Sequence, residues 1–412
     1  MAAWTRWHAA RLLEAPHRLC FFTAGAIWAA TAAWWAANLL AAATGAPWHW
    51  AVPASLAHGL CFSLAPMPLF IAGFLFTAGP RWLHVPPVSA RPLLAPVVAL
   101  ACGWLIALAG FQLHAALAGA GVTLVAAALL ALNLRYVALV VRSKEADRRH
   151  PVGLALACLV MVACLFAAAI ALFSGETAWL RAAVHAGLWG GIVSLFVIVS
   201  HRMLPFIGES GWRWLDDRWP SWTFWLLLSV PMVQAWIAVA GIGIASAPWV
   251  RWLVALHVGS AGVASILLAG RWVNAPARRQ PMVAMLHVAF CWWGLALLLE
   301  SISWLPTVSA SVSAALGIAG LHALTMGYLG GTLLTMATRV SSSHNGRSRV
   351  IDSVAWILHG LLQAAIVLRL LAQLWPVATT ALLAAAALAW ALVAAAWAGR
   401  HGFWQGEARP DR

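Results

Sequence analysis

Residues 320–349 read GLHALTMGYLGGTLLTMATRVSSSHNGRSR. From His322 the chain stays uncharged for sixteen residues, meets Arg339, and passes into a small polar loop carrying His344, Arg347 and Arg349. A helix of that length crosses most of a hydrocarbon layer about 30 Å thick. An imidazole inside such a layer is costly unless it is paired or used, so His322 requires a partner or a task. Apolar runs of similar length recur along the whole chain, which is 63% hydrophobic and 9% charged. That combination is the signature of a polytopic helical membrane protein.

The expected fold is therefore all-α and integral to the membrane. Twelve transmembrane helices are expected at 19–44, 55–79, 93–113, 115–141, 151–174, 178–200, 221–245, 249–270, 281–304, 311–338, 351–375 and 378–399. An N-terminal arm (1–18) and a C-terminal tail (400–412) flank the transmembrane domain at 19–399. The runs are continuous and do not alternate, which excludes a β-barrel. The first run is too long for a cleavable signal peptide and lacks a small-residue cleavage pattern.

A net charge of +14 raises nucleic acid as a partner, but the placement of the charge argues against it. Of the 25 basic residues, 21 fall before the first span, after the last, or in the even-numbered connections. Arg181 and Arg251 fall on the other side, and Arg135 and Arg369 lie within spans. The positive-inside rule then places both termini in the cytoplasm. The six cysteines (Cys20, Cys61, Cys102, Cys158, Cys164 and Cys291) all lie in expected spans and form neither CxxC nor CxxCH. Neither a disulfide framework nor covalent haem attachment is indicated.

His185 and Arg202 are seventeen residues apart on the sixth span, as are His322 and Arg339 on the tenth. Each stretch has a glycine pair after its histidine, Gly190–Gly191 and Gly330–Gly331. At 1.5 Å per residue each histidine stands ~25 Å from its arginine, in the outer half of the bilayer. His58 lies near the outer end of the second span and His257 at a similar depth on the eighth. Outer-half histidines on spans two, six and ten suggest three pseudo-repeated four-helix units about a common axis.

Neutral imidazoles at one depth on separate helices suit a haem iron or a copper ion, because rigid helices hold the ligands with little reorganisation. A proton relay would instead recruit buried carboxylates, and these are scarce: Glu300 near the outer end of the ninth span and Asp352 at the inner start of the eleventh. His58, His185, His257 and His322 are the candidate metal ligands, and Glu300 is a candidate proton donor. For each histidine the plain alternative is a structural hydrogen bond to a neighbouring helix. Cys61, three residues after His58, shares its helical face, although a small buried cysteine is the ordinary explanation. No phosphate loop, HExxH or nucleophile elbow is present, so hydrolytic and nucleotide-driven functions have no support.

The run HALTMGYLGGTLLTMATRVSSSHNGR resembles the NnrS family of bacterial membrane proteins, as do LFIAGFLFTAGPRW at 69–82 and HRMLPF at 201–206. The resemblance implies twelve spans, a bacterial inner-membrane location, haem b and copper, and a role in the response to nitric oxide. It extends family interest to His58, His322, Arg339, His344 and Arg347; His185 and His257 rest on spacing alone. Two departures stand out. His58-Gly59-Leu60 replaces an expected H-E-M, and Ser343-His344-Asn345-Gly346-Arg347 replaces G-H-T-G-R. The layout also resembles the catalytic subunit of haem–copper oxidases, without that superfamily's adjacent histidine pair; fold analogy alone does not establish chemistry.

The leading expectation is an inner-membrane haem protein, with copper as a second metal. It binds or reduces nitric oxide, or relieves nitrosative stress, and draws on an unidentified electron donor. The open alternatives are a transporter or channel for a metal ion or small molecule with histidines lining its path, and a sensor or assembly factor that only handles haem or copper.

Overall fold

The computed structural model describes residues 7–207, 222–241, 247–273, 279–344 and 351–408. A short 3-10 helix, Ala9–Glu14, leads into the long helices. These are α1 (Pro16–Ala43), α2 (Ala54–Trp82), α3 (Arg91–Leu113), α4 (Ala115–Arg142), α5 (Arg149–Ser174), α6 (Thr177–Arg202), α7 (Phe224–Ala240), α8 (Pro248–Gly270), α9 (Pro281–Trp304), α10 (Ala310–Ser343), α11 (Ser353–Leu374) and α12 (Thr379–Gly406). Eleven of them are long and apolar enough to cross a membrane; α7 is a shorter apolar helix bordered by residues outside those described. The described residues contain no strand. The protein is thus an all-α, multi-pass integral membrane protein. Boundaries differ from the sequence expectation mainly at the ends, where α1 starts at Pro16 and α12 runs on to Gly406.

The described chain divides into two compact units. One comprises Met1–Leu195 with Val340–Ser348 and Ala394–Arg412; the other comprises Phe196–Arg339 with Arg349–Val393.

In the first unit α3 and α4 form a tight antiparallel pair, turned at His114, whose Nδ1 accepts the Ala116 amide at 3.1 Å. A Cβ on Gly103 would lie 2.8 Å from the Gly121 carbonyl oxygen, and one on Gly110 would collide with the Ala118 main chain. Lipid offers no hydrophobic drive for helix pairing, so small residues that admit close backbone approach carry it. α2 is broken once, at Ala65, because Pro66 cannot continue the hydrogen-bond ladder of Ala54–Leu64. Its second half packs on α1, with the Phe21 ring seated over Gly73. Phe70 lies 5.2 Å from the Trp397 ring and 5.5 Å from that of Phe21, so aromatic packing joins α1, α2 and the end of α12.

Arg18, read from sequence as one of the charges that precede the first span, has a different role. Its side chain is fully buried within α1, and Nη1 donates to the carbonyls of Gln405 and Glu407 at 2.9 Å each. Glu14 pairs with it at 3.4 Å. The guanidinium thus satisfies carbonyls at the end of α12 that have no helical partner, and it complements the negative end of that helix.

The second unit repeats the small-residue logic in α8 and α9. A Cβ on Gly259 would lie 2.6 Å from Ser301 Oγ, and one on Gly294 would lie 2.7 Å from Ile266 Cδ1. Ser301 Oγ donates to the Ala255 carbonyl at 2.7 Å and His287 bonds the Ala269 carbonyl at 2.8 Å, so polar links tie the pair at two levels. α9 packs in turn on α10: Gly320 would place a Cβ 3.1 Å from the Ala296 oxygen and from the Glu300 nitrogen.

Replacing Arg18 by Met should destabilise the protein by about 2–4 kcal/mol, since two charge-assisted hydrogen bonds are lost and two carbonyls are left bare. Thermal unfolding in detergent, followed by tryptophan fluorescence, reads this directly. An unchanged midpoint would mean that the Arg18 cap contributes nothing.

Candidate functional site

Two of the long helices leave α geometry, and each does so just after a candidate histidine. α6 is π-helical over Gly187–Val193, beginning two residues after His185. α10 is π-helical over Ala323–Gly330, beginning immediately after His322. A π turn inserts an extra residue, shifts the faces on either side of it, and recurs at functional sites. Both segments contain glycines at close contacts. In α6 the Met161 side chain fills the space that a Cβ on Gly191 would need. In α10 the Trp292 ring sits over Gly327 and the Trp390 ring over Gly330, at distances of 2.5 and 3.0 Å from where a Cβ would stand. Hydroxyls bond back within each segment, Ser194 Oγ to the Trp189 carbonyl at 3.1 Å and Thr325 Oγ1 to that of Leu321 at 2.8 Å. Such bonds satisfy main-chain carbonyls that the altered ladder serves poorly.

The first unit holds His58 and His185. The His58 ring stacks on Trp35 at 4.2 Å and lies 4.4 Å from Phe62. α2 meets α6 at the residues beside these two histidines: a Cβ on Gly59 would lie 3.2 Å from Val184 Cγ1. The glutamate that the family resemblance leads one to expect after His58 would press its Cβ on the Val184 methyl, which would have to give slightly, so glycine at 59 eases a close contact.

The second unit holds His257, His322 and Glu300. His257 Nε2 lies 3.3 Å from Ser229 Oγ, a contact between α8 and α7. His322 Nδ1 lies 2.8 Å from the Ile318 carbonyl one turn earlier. A carbonyl only accepts, so Nδ1 carries the proton and Nε2 carries the lone pair, the arrangement in which a histidine ligates a metal. Glu300 Oε1 accepts from Gln234 Nε2 at 3.2 Å and from Trp304 Nε1 at 3.0 Å. Arg339 Nη1 points at Met282 Sδ, 3.3 Å away. Arg347 and the side chain of His344 lie outside the described residues.

The structure also brings forward residues that the sequence reading left aside. Trp292, the tryptophan over Gly327, donates Nε1 to Gln363 Oε1 at 2.7 Å, and Gln363 Nε2 lies 3.4 Å from His359 Nε2. The π segment of α10 is therefore joined through α9 to a polar pair on α11. Tyr328, inside the same segment, shares a hydrogen bond with Ser200 Oγ at 3.2 Å. Arg369 on α11 has its Nη1 buried with no acceptor among the described residues, and α11 packs against α10 on both sides of the His322–Ala323 junction.

Among the described residues no three histidine, cysteine or carboxylate side chains converge on one point. A haem needs only one or two protein nitrogens, and His322 offers one in the appropriate tautomer, so the residues present fit an axially ligated haem. A copper ion held by three or four protein groups does not find its donor set among them.

Replacing Gly327 by Leu should destabilise the protein by about 1–3 kcal/mol, because the new side chain enters the volume of the Trp292 ring. The same displacement should shift the tryptophan emission, and a variant with wild-type melting and emission would count against the packing described.

Comparison with curated proteins returns no match. The family model described as NnrS protein matches residues 11–409, nearly the full length of the sequence. The chain belongs to the NnrS family.

Proposed function

We propose that this multi-pass protein resides in a bacterial inner membrane with both termini cytoplasmic, holds a haem b through His322, and binds nitric oxide there. The observation that carries the reading is the His322 Nδ1 contact with the Ile318 carbonyl at the start of a π-helical segment. That bond fixes the tautomer and orients the ring, the task an outer partner performs for metal-binding histidines. The basic connections support the proposed orientation. A haem iron with one axial histidine supplies an open position and a redox-active centre for a small apolar gas that partitions into the bilayer.

The remaining residues of the second unit have defined tasks in this reading. The Gly327 notch and the Trp292 ring hold α9 against the π segment that follows His322. Glu300, beside Gly320 and two donors, is the group that holds or yields a proton near His322 if the bound gas is reduced. His185, which precedes the α6 π segment, and His58, between Trp35 and Phe62, are the corresponding candidates in the first unit. No step is assigned to copper, and reduction would need an external electron donor.

The test is an absorption spectrum of the purified protein, oxidised and reduced, with and without nitric oxide, alongside a haem assay. A Soret band that moves with nitric oxide is expected, as is a loss of at least about tenfold in haem content on replacing His322 by Ala. Replacing His257 by Ala, which removes a contact to Ser229, should leave the haem in place. Full haem content without His322 would overturn the assignment. A colourless protein from haem-supplied cells would turn attention to transport.

A further inference from the structure

Arg369 is a cation within a span. Its side chain lies five residues before the end of α11, its Nη1 is buried, and no acceptor reaches that atom among the described residues. Arg369 forms no ion pair with another described residue, unlike Arg18 and Arg149. In the described part of its unit the carboxylates are already engaged: Glu300 by Gln234 and Trp304, and Asp352 by the Ala355 amide at 3.0 Å as the N-cap of α11. A guanidinium in a half-buried side chain, with one N–H edge buried and unmet and no ion pair among the described residues, suits a planar anion. It lies on the helix that packs against both the α-helical stretch of α10 ending at His322 and the π segment following it.

We propose that Arg369 is the receptor for a carboxylate of the ligand held at His322, a haem propionate on the reading given above, on which this inference rests. The propionates leave the edge of the macrocycle and end away from the iron. A cation on the helix packed beside that of the histidine would meet such a carboxylate without bonding the ligand itself. The guanidinium neutralises a charge that would otherwise be buried bare, and its fork fixes the rotation of the macrocycle about the His322–iron axis. Arg369 is thus a binding and positioning residue, distinct from the ligand itself.

The experiment titrates the detergent-purified full-length protein with haem b and with its dimethyl ester, in which both carboxylates are capped. Wild type, Arg369→Gln and Arg369→Lys are compared, with melting curves to verify folding. Wild type should bind haem b about tenfold to a hundredfold more tightly than the ester, the worth of one charge-assisted pair. Arg369→Gln should lose that preference by weakening haem b alone, and Arg369→Lys should keep part of it. If Arg369→Gln does not fold, the wild-type ratio and the Lys variant still decide. Equal weakening of both ligands, or of neither, overturns the proposal and leaves a lipid phosphate or a purely structural cation as the occupant. If wild type takes up neither ligand, the haem reading has failed on its own. Acetate against chloride at equal ionic strength then tests the site: stabilisation of wild type but not of Arg369→Gln supports a carboxylate receptor, and no stabilisation of wild type sinks it.

Discussion

In a hydrocarbon layer every main-chain polar group must find its partner within the protein, and the rest of this structure follows from that demand. It makes the chain helical almost throughout and makes each departure from α geometry informative. Among the described residues these include the Pro66 break in α2, the 3-10 turn Arg91–Leu93 that opens α3, and the π segments of α6 and α10. At the π segments the ladder is loosened next to histidines, and Ser194 and Thr325 add hydroxyl donors where it is weakened. A loosened ladder in lipid is costly, so its position beside His185 and His322 gives both histidines a structural distinction that hydropathy does not.

Packing follows the same economy of means. α3 with α4 and α8 with α9 approach at glycines, so close contact and dispersion replace the hydrophobic drive that water would give. Tryptophans occupy the notches that glycine leaves: Trp292 over Gly327, Trp390 over Gly330 and Trp397 against Gly25. Where a tryptophan enters, its N–H must be placed, and Trp292 meets this by bonding Gln363. A single glycine in α10 therefore fixes a ring on α9 and, through it, an amide on α11.

The spans were legible because length and apolar composition suffice to read a membrane helix, and α2 to α6 and α8 to α11 fall within a few residues of the positions read from sequence. The family was legible in the residues around His322. What hydropathy does not carry is rotation about a helix axis and winding along it. The glycine pairs and the seventeen-residue spacing marked α6 and α10 as alike, but nothing in the residues announced π turns there. Arg18 and Arg369 were each counted by position in the chain, the first as a flanking charge and the second as an in-span residue. Their roles depend on which atoms they meet, the carbonyls of α12 for Arg18 and no described acceptor for Arg369 Nη1. The single layer of four histidines was a depth argument. Depth says nothing of direction about a helix axis.

The contrast between those two arginines carries the thermodynamics of the site. Arg18 is buried with Nη1 bonded to two carbonyls and its charge paired with Glu14, so those contacts lower the energy of the protein as it stands. Arg369 keeps a buried nitrogen for which the described chain supplies no acceptor, and an uncompensated donor on a cation raises that energy. A fold tolerates such a group when some bound state returns more than the folded state gives up, and binding to the native form alone then appears as added stability. A structural arginine would be expected to bring its own acceptor, as Arg18 does. On the proposal made above, Arg369 on the helix packed against the π segment is half of an interaction whose other half arrives with the ligand.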